Sequence, residues 1–182
     1  MKGTEVLMAG FGGQGMLLAG KVLAHAAMNA GLEVSWLPSY GPEMRGGTAN
    51  VIVCISPQPI GSPLITTPRA LVAMNLPSLE KFADRVKPGG LILINSTLIS
   101  HSPGRSDCRV LEVDSRRIAA EAGNDRAANF VMLGAYVGAS RVVKAEDVEN
   151  QIAEEFRGKK ERFIPANIAA FHAGCAMTET RM

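Results

Sequence analysis

Cysteine is scarce in this sequence, and what little there is lies scattered. Cys54, Cys108 and Cys175 are far apart in 182 residues and no C-x-x-C pair exists. The chain by itself therefore offers no usual ligand spacing for an iron–sulfur cluster or a structural zinc. Three separated cysteines in apolar surroundings read as buried, reduced thiols of a cytoplasmic protein. Long apolar runs are missing too: none nears the ~20 residues that span a bilayer, so no membrane association is expected. The opening Lys2-Gly3-Thr4-Glu5 leads into an apolar run that stops at a glycine turn, which is not the layout of a signal peptide. Charge of one sign is nearly balanced out. A net charge of +2 without a basic stripe argues against a nucleic-acid surface. The short basic cluster of Arg157, Lys159, Lys160 and Arg162 reads as a solvated helix end. There is no internal repeat, low-complexity segment or long linker. What remains is an ordinary globular composition, 47% hydrophobic and 20% charged, in a length that fits a single domain over 1–182 with a full-sized core.

The richest stretch is Gly10-Phe11-Gly12-Gly13-Gln14-Gly15. It follows the apolar run Val6-Leu7-Met8-Ala9 and precedes a segment with helical spacing that continues to Ala30. Strand, glycine turn and helix make a phosphate-binding layout: glycines let an anion approach the amides, and the helix start adds unpaired N–H donors and the positive end of its dipole. The spacing also satisfies G-x-G-x-x-G. A dinucleotide site, however, needs an acid near the end of the second strand to hold the ribose. Here that strand reads Glu33-Val34-Ser35-Trp36-Leu37 and runs into Pro38-Ser39-Tyr40, with its only acid at the wrong end. A P-loop is excluded because no Lys-Ser or Lys-Thr follows the last glycine. Two readings stay open: an anion cradle of Gly10, Gly12, Gly13, Gln14 and Gly15, or a tight strand–helix turn that binds nothing.

Apolar runs and punctuation give the order of elements. The first strand ends at Ala9. A helix covers about Gly15 to Ala30, with Leu18, Val22 and Ala26 on one stripe and Ala19, Leu23 and Ala27 beside it, stopped by Gly31. Strands follow near Val34–Leu37, Asn50–Ile55, Ala70–Met74, Leu91–Ile94 and Val110–Val113. Helices are expected near Ser78–Val86, from Asp114 or Ser115 to Gly123, and near Asn129–Val137, Ala145–Phe156 and Pro165–Thr178, with Asn129 as a cap. Alternation of strands and helices, with several strands purely apolar, implies an α/β fold: a three-layer α/β/α sandwich around a central sheet covered on both faces. The strand after Thr48 arrives without a crossover helix. That predicts one antiparallel pairing, hence a mixed and mostly parallel sheet.

A second chemically loaded stretch is Ser39-Tyr40-Gly41-Pro42-Glu43-Met44-Arg45-Gly46-Gly47-Thr48. It leaves the carboxyl end of the second strand, where ligands bind in open α/β sheets. Arg45 between glycines can offer its fork to a carboxylate or phosphate. The alternative is that Glu43 and Arg45 only pair with each other or with their own loop. The histidines are bland: His25 reads as helix packing, His101 has no partner nearby in sequence, and His172 with Cys175 makes at most two ligands, too few for a metal. The methionines read as core filler.

Taken together, G-F-G-G-Q-G at Gly10–Gly15, S-Y-G-P-E-M-R-G-G-T at Ser39–Thr48, Ile60-Gly61-Ser62-Pro63, Glu121-Ala122-Gly123-Asn124, Asn129-Phe130-Val131-Met132-Leu133-Gly134-Ala135 and Asn167-Ile168-Ala169-Ala170-Phe171 resemble the gamma subunit of 2-oxoacid:ferredoxin oxidoreductases. The matches keep their order along the whole chain. The resemblance implies an α/β/α domain in a multi-subunit enzyme that oxidatively decarboxylates a 2-oxoacid to acyl-CoA and CO2 and passes two electrons to ferredoxin. It implies no redox cofactor in this chain. Thiamine diphosphate, magnesium and iron–sulfur clusters would belong to alpha, beta and ferredoxin-like delta partners, and coenzyme A would be the co-substrate. The sequence contains no Gly-Asp-Gly of a thiamine-diphosphate site. No catalytic or metal residue is assigned. The binding residues inferred from loop chemistry are Gly10, Gly12, Gly13, Gln14 and Gly15 with Tyr40, Glu43, Arg45, Gly46 and Gly47. Two other classes compete: a stand-alone module holding a phosphate-bearing ligand, and a nucleotide-dependent dehydrogenase disfavoured by the missing ribose acid. Apolar loop residues such as Met44, Ile60 and Leu64 lead to the expectation that the lone chain forms a homodimer.

Overall fold

Val6 and Met8 face one side of the first strand, Leu7 and Ala9 the other, and all four are out of contact with solvent. A strand apolar on both faces must lie inside a sheet that is covered twice. The structure, a computed structural model describing residues 3–39, 48–158 and 160–179, shows that arrangement. The strands are β1 (Thr4–Phe11), β2 (Glu33–Ser39), β3 (Thr48–Ser56), β4 (Ala70–Ala73), β5 (Leu91–Asn95) and β6 (Arg109–Val113). The helices are α1 (Met16–Asn29), α2 (Leu76–Phe82), α3 (Ser115–Glu121), α4 (Ala128–Ser140), α5 (Ala145–Glu155) and α6 (Ile164–Glu179). Tyr40, Glu43, Arg45, Gly46 and Gly47 lie outside the described residues.

The sheet order is β2-β3-β1-β4-β5-β6. β1, β4, β5 and β6 pair in parallel, while β3 runs antiparallel to both β1 and β2. The fold is the expected α/β/α sandwich with a mixed, mostly parallel sheet. One detail differs: the single reversed strand makes two antiparallel pairings, because it inserts between β2 and β1.

The two faces are covered unequally. On one side, α1, α3, α4, α5 and α6 build a core with Val6, Met8, Val51, Val53, Val72, Leu93 and Val113. On the other, α2 and the 3-10 turn Ala83–Arg85 place Leu79, Phe82 and Val86 against Leu7, Leu71, Ile92 and Ile94. Asn75 caps α2 by accepting the Ser78 N–H at 2.9 Å, so the helix starts ahead of the Ser78 expected from sequence. Asp114 caps α3 and accepts from the Thr97 hydroxyl at 2.8 Å. This hydrogen bond, with the neighbouring Arg117, holds the Asp114 carboxyl below its usual range.

α4 and α6 form the tightest helix pair. A Cβ on Gly134 would run into the Phe171 carbonyl, and one on Gly174 into the Val131 carbonyl. Glycine there lets two backbones touch.

Candidate functional site

The glycine loop is fastened from within by Gln14. Its backbone N–H donates to the Phe11 carbonyl at 3.1 Å, closing the turn. Its side-chain Oε1 accepts from the Phe11 N–H at 2.6 Å and from Asn75 Nδ2 at 3.1 Å. Gly10 makes room for this clamp, since a Cβ there would stand 2.7 Å from Gln14 Oε1. The clamp continues into a polar seam along the carboxyl ends of the parallel strands. Asn95 Nδ2 donates to the Met74 carbonyl at 3.2 Å, and Asn95 Oδ1 accepts from the Ser115 hydroxyl at 2.7 Å. Asn75, Asn95 and Ser115 are all buried, so each of these bonds replaces hydration that folding removed.

Gly13 and Gly15 take left-handed φ values of 93° and 76°. Among the described residues, a Cβ on Gly13 would meet nothing within 4 Å, whereas one on Gly15 would stand 2.7 Å from Asn129 Nδ2. α1 then begins without a side-chain cap among the described residues. Its first amides and the positive end of its dipole are left for another partner.

A cleft of about 320 Å³ opens beside Gly13, Gln14 and Gly15. Asn124 Nδ2 donates to Asn167 Oδ1 at 2.9 Å, tying the end of α3 to α6 on its wall. Asn129 Nδ2 donates to the Gly15 carbonyl at 3.3 Å. Leu18, Phe130, Phe156 and Phe163 supply apolar surface, with Phe130 and Phe156 packed edge to face at 5.8 Å. Arg126 and Lys160 complete the lining; both are exposed and neither joins an ion pair among the described residues. Main-chain amides at a helix start and two cations across an apolar wall can hold an anion joined to an apolar or aromatic body.

Gly13, Gln14 and Gly15 thus line the cleft directly, while Gly10 serves the clamp. Asn129 does not cap its helix: Ala127 holds the cap position, and the Asn129 side chain reaches back to the glycine loop. None of Asn124, Arg126, Asn129, Lys160, Phe163 and Asn167 reads from sequence as lining a site; Asn129 reads as a cap and Lys160 as part of a solvated helix end. Three of them, Asn124, Asn129 and Asn167, stand in stretches that carried the family resemblance, and that was their only signal. β2 delivers the chain to the edge where the glycine loop lies, and β3 takes it up there with Thr48 in register with Phe11.

The topology also bears on the dinucleotide reading. The strand beside β1 on this side is the reversed β3, so β2 does not lie where a ribose acid would reach the loop. Glu33 pairs with Ser56 at the opposite edge. Cys54 and Cys175 are buried, and Cys108 is half-buried. His172 engages Glu149 at 2.8 Å, and His25 meets Gln151 at 3.4 Å. Among the described residues no three His, Cys, Asp or Glu side chains are grouped to hold a metal, and no helix is long and apolar enough to cross a membrane.

Sheet order, glycine loop and cleft define an α/β/α domain with a glycine turn and an adjoining cleft at the carboxyl edge of its sheet. Residues 5–177 match the family described as pyruvate ferredoxin/flavodoxin oxidoreductase, and the chain belongs to that family. The ketoisovalerate oxidoreductase subunit VorA of Methanothermobacter thermautotrophicus is 45% identical over 94% of this chain. The chain spans about a third of that relative's length, 35%. The gamma subunit of a keto/oxoacid ferredoxin oxidoreductase from Geobacter sulfurreducens superposes with a TM-score of 0.84 at 31% identity, over 97% of this chain and 99% of that one. A 2-oxoglutarate:ferredoxin oxidoreductase from Magnetococcus marinus, solved with 2-oxoglutarate, coenzyme A and succinyl-CoA bound, matches with a TM-score of 0.88 at 25% identity, over 99% of this chain and 32% of that one.

Proposed function

We propose that this chain is the gamma component of a 2-oxoacid:ferredoxin oxidoreductase and that its glycine-loop cleft holds the phosphate end of coenzyme A. One observation carries the second half. The open amides around Gly13 and the uncapped start of α1 share a cleft with Arg126 and Lys160. A phosphate group suits that pairing of neutral donors and cations. The apolar wall of Leu18, Phe130, Phe156 and Phe163 suits the less polar remainder of such a molecule. Coenzyme A is among the molecules bound in the Magnetococcus enzyme, whose chain contains a domain of this fold.

The rest of the chemistry belongs to partners. The three cysteines sit on separate elements, in β3, ahead of β6 and in α6, and among the described residues they join no group of three possible metal ligands. Thiamine diphosphate with magnesium, and iron–sulfur clusters, are therefore assigned to alpha, beta and delta chains, with ferredoxin as acceptor. The cofactor would supply decarboxylation and electron transfer. This chain's residues bind and orient the thiol donor. Tyr40, Glu43, Arg45, Gly46 and Gly47 are assigned to the same edge of the domain, with Arg45 on a carboxylate or phosphate at a subunit junction. The lone chain self-associates through surface that partners cover in the assembly.

Affinity purification of the tagged chain from its own cells tests this reading. Two or more other chains should accompany it, and the preparation should reduce a viologen only with both a 2-oxoacid and coenzyme A. The chain alone, given the same mixture with thiamine diphosphate, should be inert. Turnover by the chain alone, or a coenzyme A-independent preparation, would overturn the proposal.

A further inference from the structure

The glycine-loop cleft sits at the carboxyl edge of the sheet. A second polar cleft, of about 230 Å³, sits at the opposite edge, where β1, β4, β5 and β6 begin. Its wall includes Tyr136 of α4, which is wholly buried. The Tyr136 hydroxyl stands close beside the hydroxyls of Thr4 and Ser140, which temper the rise of its pKa, and it has no well-aligned hydrogen-bond partner among the described residues. The Ser140 hydroxyl is likewise buried without a well-aligned partner among the described residues. Two unpaired hydroxyls in one buried spot cost roughly 1–3 kcal/mol each unless something accepts from them. Burial pushes the Tyr136 pKa up to about 12, so the group is a donor at every physiological pH.

Three cations line the same cleft: Arg69, Lys87 and Arg109. One carboxylate answers them, with Glu5 at 3.3 Å from Lys87 Nζ and 3.9 Å from Arg69 Nε. Arg109 has no ion pair among the described residues. Nearby backbone amides are already committed: Gly90 N–H donates to Lys87, Leu91 N–H to Arg69 and Arg109 N–H to Gly90, each at 2.9 Å. The carbonyl end of α4 lies close by and disfavours an anion. Side chains, not helix or loop amides, would have to hold whatever binds.

We propose that this cleft is a second anion site, taking a dianionic phosphoryl group on Arg69, Lys87 and Arg109 with the Tyr136 and Ser140 hydroxyls as donors. A cation excess of two over Glu5 matches a phosphate monoester or inorganic phosphate, whose charge near neutrality is about −1.5 to −2. A monocarboxylate would leave the cleft positive. The space admits a phosphoryl group and leaves a larger body outside. The phosphate can come from free phosphate or from the end of a larger ester.

The test uses the full chain carrying Gly13→Asp, so that the glycine-loop cleft cannot contribute. Inorganic phosphate, glycerol 3-phosphate and acetate are titrated at constant ionic strength, by calorimetry and by thermal shift. Phosphate or the ester should bind and raise Tm, and acetate should not; which of the two binds more tightly identifies the source. Lys87→Gln with Arg109→Gln should weaken binding roughly tenfold or more. Tyr136→Phe should weaken it about fivefold, the worth of one hydrogen bond. In phosphate-free buffer Tyr136→Phe should be at least as stable as the parent, because an unpaired buried hydroxyl is gone. Acetate matching phosphate, no binding by either phosphate, or unchanged phosphate affinity in the Lys87/Arg109 double variant would overturn the site.

Discussion

Glycine does opposite jobs in two regions of this molecule. Between α4 and α6, Gly134 and Gly174 are closed in: each stands where the facing helix's backbone leaves no room for a methyl group. In the loop after β1, Gly13 is open: its φ of 93° demands a left-handed residue, but a Cβ would touch none of the described residues. The first pair is there so that protein can touch protein. Gly13 leaves space that none of the described residues fills, beside the uncapped start of α1, and the proposed anion site rests on that space. Gly15 falls between them, with a left-handed φ of 76° and Asn129 pressed against the position of its missing Cβ.

The comparison breaks most visibly in stability. Gly134→Ala should cost about 3 kcal/mol, at the high end for overpacking, because the obstacle is a backbone carbonyl that cannot rotate away. For a chain of this size that lowers Tm by roughly 10 °C, readable by calorimetry. A loss below about 1 kcal/mol would mean that the helices part easily and that close approach is not why glycine stands there.

Gly15→Ala comes next, at about 2 kcal/mol, combining left-handed strain with the clash at Asn129. Adding Asn129→Ala should return part of that loss, since the two residues touch. Strict additivity in this double-mutant cycle would show that strain alone is at work. Gln14→Ala should cost about 1–2 kcal/mol by leaving the Phe11 N–H and the buried Asn75 amide without their acceptor. Gly13→Ala should cost the least, about 1 kcal/mol from the φ requirement alone.

These rankings mark what was legible in the sequence. Apolar runs such as Ala70–Ala73 and Leu91–Ile94 announced buried strands, and the glycine loop announced a strand-to-helix turn, because both signals are local. The insertion of β3 between β1 and β2 was only half legible: the absence of a crossover helix pointed to a reversed strand but not to its two neighbours. Asn129 misled because capping is the commonest local use of asparagine at a helix start, whereas its actual partner, the Gly15 carbonyl, is 114 residues away. Arg126 carried no signal, and Lys160 read only as part of a solvated basic cluster. A cation free in solvent and one on a cleft wall look alike until the fold places them across from the start of a helix.

The most direct test of the central claim separates the open glycine from the closed ones in function. Gly13→Asp places a carboxylate where the anion would approach, in a position with no steric neighbour among the described residues. In the assembled enzyme purified with this chain, its KM for coenzyme A should rise by roughly tenfold or more, the effect of one unfavourable charge at about 1.4 kcal/mol or above, with the KM for the 2-oxoacid unchanged and the complex intact. An unchanged KM for coenzyme A in an intact complex would contradict the account and leave the glycine loop as a turn that binds nothing.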